Sequence, residues 1–469
     1  MSSERALPAG LLPALRAAIH AGAVIDDPDR LVAYEADALT TSRGLPDAAV
    51  FPADREELIR VVRLLHEARV PFVARGAGTG LAGGAVAQGG VLICTTRMHR
   101  ILEVDQVGRT ALVEPGALTD AINEAVMPLG LRYLPDPASA AACTIGGNVA
   151  TNSGGPHCLM HGVTTDHVAA LEVILPDGTP LVVRRGGDGG LDLAGIFTGS
   201  EGTLGLISRI RVDLAPLTSD VRAFLALFDS VADAGRAVGE IFAAGILPVA
   251  LELVDRETIA VVEASVFAAG LPLDTEAALV VECEGDPEET AEDLAEAEKA
   301  VLACGAREVR HAHDEAERLA IWRARKKAYG ALGRLAPDVF VQDATVPRSA
   351  LPDLLPRFAE IARRHDLRLA NFFHAGDGNV HPNLLFDRRD ADQVARVRAA
   401  GAEIMALCVE AGGTITGEHG VGADKVRHME LVFGAVELDI MRAMRNATDR
   451  AGLANPGKLL PAESEAAPA

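Results

Sequence analysis

Apolar residues recur along this chain with three different spacings, and each spacing predicts a different kind of structure. Leu11, Leu12, Leu15 and Ile19 repeat at helical intervals and predict a helical N-terminal segment over residues 1–44. From 45 to 217 the apolar positions gather in short runs, Phe72–Ala74, Val91–Cys94, Ala111–Val113 and Ala170–Leu175, separated by glycine-rich stretches. That pattern predicts a domain of strands and loops. A regular alternation then begins with strand Ala223–Phe228, helix Val231–Ala244, and strands Val249–Val254 and Ala278–Glu284. Asp286 caps the next helix, with Pro287 at its first position and Gly305 just past its end, and Arg307–His311 is a fourth strand. The order βαβ, βαβ predicts an antiparallel sheet covered by helices on one face, the ferredoxin-like plan. A helical stretch after Trp322, a hairpin and a helix over Ala391–Ala411 continue this second domain through 218–415. Residues 416–461 form a helical C-terminal segment, and 462–469 are expected to be a disordered tail. The fold class is α+β.

The hairpin carries the first sign of chemistry. Asp377-Gly378 is a favoured tight-turn pair between the strand-like flanks Leu369–Phe373 and Val380–Leu385. A two-residue turn there sets Gly376 opposite Asn379, Ala375 opposite Val380 and His374 opposite His381, with β-carbons roughly 4.5 to 5.5 Å apart. Two imidazoles so placed can share one divalent ion. A further ligand candidate lies in Thr416–Gly422, where Glu418 and His419 sit side by side among glycines. Two neutral imidazoles and one carboxylate suit zinc, manganese or iron with a coordination position left open for substrate. Taken alone, two such histidines are more often a stacked cross-strand pair and Glu418-His419 a surface turn; the combination favours the metal.

Composition narrows the classes. Acidic residues outnumber basic ones, 66 to 44, for a net charge of −22, which opposes phosphate backbones and excludes nucleic acid as an expected partner. No stretch approaches the roughly 18 apolar residues of a membrane span, and Met1-Ser2-Ser3-Glu4-Arg5 lacks a signal-peptide pattern, so a cytoplasmic location is expected. The six cysteines, Cys94, Cys143, Cys158, Cys283, Cys304 and Cys408, show no Cys-x-x-Cys spacing and read as reduced thiols.

Four glycine-rich loops fall within the 45–217 domain. Arg75-Gly76-Ala77-Gly78-Thr79-Gly80-Leu81 follows a short strand and offers backbone N–H groups to a diphosphate. A nicotinamide fingerprint is the other reading of such a loop, but a second strand follows it where a long helix is required. The other loops are Cys143–Asn148, Thr151–His157 and Gly199–Gly205, more than a diphosphate needs and suited to a large extended ligand. On these motifs the chain resembles the FAD-linked oxidases of the vanillyl-alcohol oxidase type, with a PCMH-type FAD-binding domain. Asn371–Pro382, Gly417-Glu418-His419-Gly420 and Asn455-Pro456-Gly457-Lys458 are similar to the glycolate oxidase flavin subunits and D-lactate dehydrogenases within that family. The resemblance spans roughly residues 30–461.

What the resemblance implies is specific. The FAD-binding domain would be two-lobed and the second domain would cap the flavin. FAD contacts would fall on Arg75, Gly76, Gly78, Thr79, Gly80, Leu81, Pro135, Cys143, Thr144, Gly146, Gly147, Asn148, Ser153, Gly154, Gly162, Glu201, Gly202 and Ile207. His374, His381 and Glu418 would be the metal ligands, zinc first, with His419 as the base. Arg325 would bind the substrate carboxylate, with Tyr329 and Asn383 beside it. FAD is expected without a covalent tether, His157 and His161 being the positions that would change this. The implied reaction is oxidation of glycolate or D-lactate to the 2-oxo acid, with hydride passing to flavin N5 and the proton to His419. A noncatalytic electron-transfer flavin subunit, a D-2-hydroxyglutarate-type dehydrogenase and a nicotinamide-linked dehydrogenase are the competing readings. The resemblance also implies an electron-accepting protein or quinone, with an iron-sulfur subunit and a second flavin subunit as partners holding the chain at the inner membrane.

Overall fold

The computed structural model describes residues 7–186 and 190–462; most of the tail expected over 462–469 lies outside them. The chain divides into two compact units, one of Met1–Ser153, Val163–Leu217 and His419–Ala469, the other of Gly154–Gly162 and Thr218–Glu418.

Among the described residues the first unit holds two main sheets, besides a two-stranded ribbon of Leu131–Arg132 and Ala215–Pro216. In the smaller, Ala48–Val50 and Phe72–Arg75 flank Val91–Cys94 in parallel, with Val24–Ile25 antiparallel at the edge. Helix Arg55–Glu67 links the first two of these strands, capped by Asp54 accepting from Glu57 N, and buries Leu58, Val61, Val62 and Leu65 against the sheet. The larger sheet is antiparallel and runs Ile101–Asp105, Thr110–Val113, Leu206–Asp213, Val168–Ile174, Pro180–Arg184.

Two stretches sit differently from the sequence-based division. Residues Gly154–Gly162 belong to the second unit, although they lie inside the block 45–217. The C-terminal segment joins the first unit because its backbone continues the small sheet, Phe72 N donating to Leu453 O (2.9 Å) and Asn455 N to Phe72 O (2.8 Å). Its long helix spans Ala435–Thr448.

In the second unit the strands Ala306–His311, Asp220–Phe228, Ala277–Gly285, Ala250–Asp255 and Arg368–His374 lie side by side, antiparallel throughout. The first four have the ferredoxin-like order. Helices cover both faces, however, where one was expected. Val231–Ala243 and Pro287–Ala303 pack on one side. On the other, Ile259, Val262, Trp322, Ala324 and Ala328 of helices Arg256–Glu263 and Glu315–Leu332 meet Leu225, Leu227, Val254, Ala278 and Val280. The unbroken apolar runs Ala223–Phe228 and Ala277–Val281 were the signal, since alternation is lost when both faces of a strand are buried.

The histidine hairpin also departs from its expected register. His374 pairs with Asn379, Asn371 with Pro382 and Ala370 with Asn383, so the loop has four residues, Ala375–Gly378, and His381 is not directly opposite His374. A tight two-residue turn of the favoured kind requires positive φ at both central positions, and only Gly378 (76°) has it. The loop's backbone bonds outward instead: Gly376 N donates to Leu251 O (3.1 Å) and Gly378 O accepts from Val346 N (2.9 Å). A Cβ on Gly378 would fall 2.1 Å from Val346 O.

Asn455 ties the first unit together. It is 1% exposed, with a left-handed φ of 41°, and its Nδ2 donates to Gly84 O (3.0 Å) and Glu201 O (2.7 Å). Replacing Asn455 by Ala removes the donor to the buried Glu201 carbonyl and the partly buried Gly84 carbonyl, so we expect a loss of about 1–3 kcal/mol in denaturant unfolding.

Candidate active site

The strand that ends at His374 is held by its neighbour Ala250–Asp255, where Glu252 stands directly opposite His374. Side chains alternate along a strand, so His381, two residues beyond Asn379, shares the face of His374 diagonally. The rings lie 5.2 Å apart, edge to face. Both are 5% exposed.

Glu418 completes the cluster from a turn that Asp343 shapes. The buried Asp343 carboxylate accepts from Thr416 Oγ1 (2.6 Å) and from the backbone N–H of Gly417 and Glu418 (3.1 Å each). Glu418 Oε1 then lies 3.2 Å from His374 Nε2 and 3.1 Å from His381 Nε2. The three ligand atoms are all within 4.8 Å of one another. On the far side of each ring, Nδ1 of His374 meets Glu252 Oε1 (2.6 Å) and Nδ1 of His381 meets the Gln342 carbonyl (3.3 Å). Acceptors at both Nδ1 atoms turn both Nε2 atoms toward Glu418, the arrangement that metal-binding histidines use.

Burial disfavours charge on His374, but the facing carboxylates of Glu252 and Glu418 outweigh it and hold the imidazole well above its ordinary value. Burial likewise pushes the Glu418 carboxyl upward, and His374 and His381 overcome it, leaving Glu418 well below the usual carboxylate range. The donor set, two imidazoles and a carboxylate with their outer atoms satisfied, fits a divalent cation.

Among the expected substrate contacts, Arg325 is 6% exposed on helix Glu315–Leu332, its Nε 2.5 Å from Glu252 Oε2 and its guanidinium over the Phe372 ring. Asn383 is fully buried; its Nδ2 donates to His381 O (2.6 Å) and its Oδ1 has no hydrogen-bond partner among the described residues. Tyr329, one turn along from Arg325, is 41% exposed. His419 follows Glu418 in the chain and opens the segment counted with the first unit.

The first unit gathers the glycine-loop residues. Arg75 ends its strand, and the loop Gly76–Leu81 follows, with Gly78 at a φ of 73°. A Cβ on Gly76 would fall 2.1 Å from Thr144 Oγ1. That hydroxyl is buried and has no hydrogen-bond partner among the described residues, as a residue awaiting a polar ligand would be. Pro135 and Cys143 are buried near it in the chain, and Gly146, Gly147 and Asn148 open helix Ile145–Thr151, Asn148 donating to Thr119 Oγ1 (2.7 Å). Ser153 Oγ lies 3.4 Å from Thr164 Oγ1, and Ile207 stands on strand Leu206–Asp213. Glu201 has a left-handed φ of 51° and precedes Gly202; its carboxylate accepts from Val421 N and Gly422 N (2.7 Å each). Burial pushes Glu201 up to about 7 against those two bonds. The N–H-rich loops and the open Thr144 hydroxyl fit a dinucleotide. Of the expected flavin contacts, Gly154 and Gly162 fall in the second unit, at either end of its short segment. Within that segment His157 Nε2 lies 3.1 Å from Glu282 Oε1 and His161 Nε2 2.8 Å from Glu284 Oε1.

Sequence reasoning missed Glu252 and Asp343. Each had a signal: Glu252 is a lone acid inside the apolar run Val249–Val254, and Asp343 closely follows the buried strand Asp338–Val341.

Comparison with known proteins accounts for both units. Residues 46–184 match the FAD binding domain family, and residues 217–459 match the C-terminal domain of FAD linked oxidases. The chain is 43% identical over 456 residues to the glycolate oxidase subunit GlcD of Escherichia coli (strain K12), covering 96% of this chain and 91% of the relative. It is 40% identical to the subunit of the same name from Bacillus subtilis (92% of each chain) and 32% identical to a D-lactate dehydrogenase of Anaerostipes hadrus (88% and 89%). The fold is also that of p-cresol methylhydroxylase, with a TM-score of 0.80 at 17% identity over 96% of both chains. Among the described residues no helix is long and apolar enough to cross a membrane. With an FAD binding domain in its N-terminal half and the oxidase C-terminal domain after it, this chain belongs to the FAD-linked oxidases, a family of flavoprotein oxidoreductases.

Proposed function

We propose that this chain is a dehydrogenase of small 2-hydroxy acids, glycolate or D-lactate, that works with FAD and one divalent cation held by His374, His381 and Glu418. The observation that carries the reading is the approach of one Glu418 oxygen to both imidazole Nε2 atoms (3.2 and 3.1 Å). The relatives named for glycolate and D-lactate support the substrate class.

When bound, FAD supplies a hydride acceptor and the cation, zinc first and manganese or iron next, supplies a Lewis acid for the substrate hydroxyl. The chain's own residues do the rest. The Arg325 guanidinium, fixed on one side by Glu252, pairs with the substrate carboxylate, a task suited to its planar fork. Asn383 offers its unpartnered Oδ1 to a ligand hydroxyl, and Tyr329 borders the carboxylate end. His419, joined to Glu418 by one peptide bond, takes the hydroxyl proton. Arg75, Gly76, Thr144, Asn148 and the other loop residues of the first unit hold FAD without a covalent tether; the carboxylates facing His157 and His161 support that. Electrons leave to an acceptor protein or a quinone, through an iron-sulfur subunit and a second flavin subunit, consistent with relatives that are themselves called subunits. The chain works at the cytoplasmic side of the inner membrane through those partners.

Anaerobic mixing with a panel of 2-hydroxy acids tests this. Glycolate or D-lactate bleaches the flavin bands, 2-hydroxyglutarate does so more slowly, and a chelator abolishes bleaching until zinc or manganese is returned. Full bleaching after metal is stripped to background would remove the cation from the reaction, and no bleaching by any acid would leave an electron-relay subunit. His419→Ala keeps its flavin and slows bleaching by about 10²–10⁴-fold; an unchanged rate takes the base role from His419. His374→Ala loses bound metal in elemental analysis of the purified protein, and an unaltered content would place the cation elsewhere.

A further inference from the structure

Glu252 is a carboxylate buried without trace of exposure in the middle of an apolar strand, between Leu251 and Leu253, which are also fully buried. Burying a charge in such a place is strongly unfavourable unless the charge is paired on every side. Glu252 is paired at both oxygens, one by a hydrogen bond and the other by an ion pair, and its two partners belong to two different ends of the proposed site. Oε1 meets His374 Nδ1 at 2.6 Å, and Oε2 meets Arg325 Nε at 2.5 Å. The two contacts come from separate elements, strand Arg368–His374 beside Glu252 in the sheet and helix Glu315–Leu332 packed over it.

We propose that Glu252 is the positioning residue that sets the distance and orientation between the cation and the carboxylate-binding arginine. One oxygen fixes His374 with its proton on Nδ1, so that Nε2 is turned toward Glu418. The other lies in ion-pair contact with Arg325 Nε, without hydrogen-bond alignment, and holds the guanidinium beside the site. A 2-hydroxy acid presents its hydroxyl and carboxylate at a fixed separation, so a single rigid group gripping both receptors selects that separation. Glu252 touches neither substrate nor cation in this scheme. The inference rests on the reading of His374 as ligand and Arg325 as carboxylate binder.

Chemistry singles out glutamate. Glutamine has one acceptor oxygen and one NH₂, so in either orientation an N–H faces an N–H, at His374 or at Arg325. Aspartate is one methylene shorter and cannot reach both partners. The neighbouring Glu282 is a matched control. It is 2% exposed on the next strand, on the same face, and pairs with Trp322 Nε1 (2.5 Å) and Arg318 (2.8 Å) rather than with His374.

The test measures the zinc dissociation constant of the flavin-loaded protein by competition with a chromophoric chelator, together with KM and kcat for glycolate and D-lactate. For Glu252→Gln we expect zinc affinity to fall about 10–100-fold and KM to rise more than kcat falls, with flavin content retained. Glu282→Gln is expected to lower the melting temperature comparably while leaving the zinc constant within about twofold. Because Glu252→Gln can fail to fold, Glu252→Asp is measured beside it, with a tenfold or greater loss of zinc affinity expected. Zinc binding and KM unchanged in the folded Glu252 variants, with His374→Ala still losing metal, would overturn the positioning role alone. Equal zinc binding by the parent and His374→Ala would overturn the ligand assignment and this inference with it.

Discussion

A single carboxylate oxygen pressed against two buried imidazoles is the constraint around which the second unit is built. Glu418 Oε1 is within 3.2 Å of both Nε2 atoms, and all three side chains are largely withdrawn from water. Such a cluster is costly to bury, and the surrounding structure compensates it atom by atom. Glu252 and the Gln342 carbonyl face the outer ring nitrogens, while Asp343 accepts three hydrogen bonds from the turn that delivers Glu418. The opposed shifts of His374 and Glu418 express the same balance: each charge is stable only because the other is there. A divalent cation between the three ligand atoms would replace that ion pairing with a stronger one.

The first unit is organised by a different constraint, the need to bring backbone close to a large ligand. Its glycines leave no room for side chains where loops converge, as at Gly76 against the Thr144 hydroxyl. The C-terminal segment then returns to lock these loops from behind, through Asn455 onto Gly84 and Glu201 and through Lys458 Nζ onto Val86 O (2.8 Å). Three residues in this framework, Glu201, Asn455 and Leu459, hold left-handed backbone conformations, strain that the buried hydrogen bonds of Glu201 and Asn455 offset.

Much of this was legible in the residues because local signals and tertiary structure agree. The helix from Val231, capped by Ser230, and the helix from Pro287, capped by Asp286, begin where their caps and apolar spacing place them. The hairpin shows where such reasoning stops. Asp377-Gly378 has the composition of a two-residue turn, but Leu251 and Val346 offer hydrogen bonds to the loop that a turn closing on itself cannot make, and the partner of His374 shifts by two residues, from His381 to Asn379. The shared face of His374 and His381 survived because the diagonal partner of a strand residue points the same way as the direct one. Glu252 was invisible for the opposite reason: its meaning depends on Arg325 and His374, 73 and 122 residues away along the chain, and no local pattern encodes that meeting. The second helical layer left a trace in the unbroken apolar runs, which record that both faces of a strand are buried but not by what.

Anomalous diffraction from crystals grown with zinc, recorded on both sides of the zinc absorption edge, tests the central claim most directly. The account predicts one strong peak about 2.0–2.2 Å from His374 Nε2, His381 Nε2 and a Glu418 carboxylate oxygen. Absence of a peak within bonding distance of all three, with zinc bound elsewhere on the protein, would contradict it.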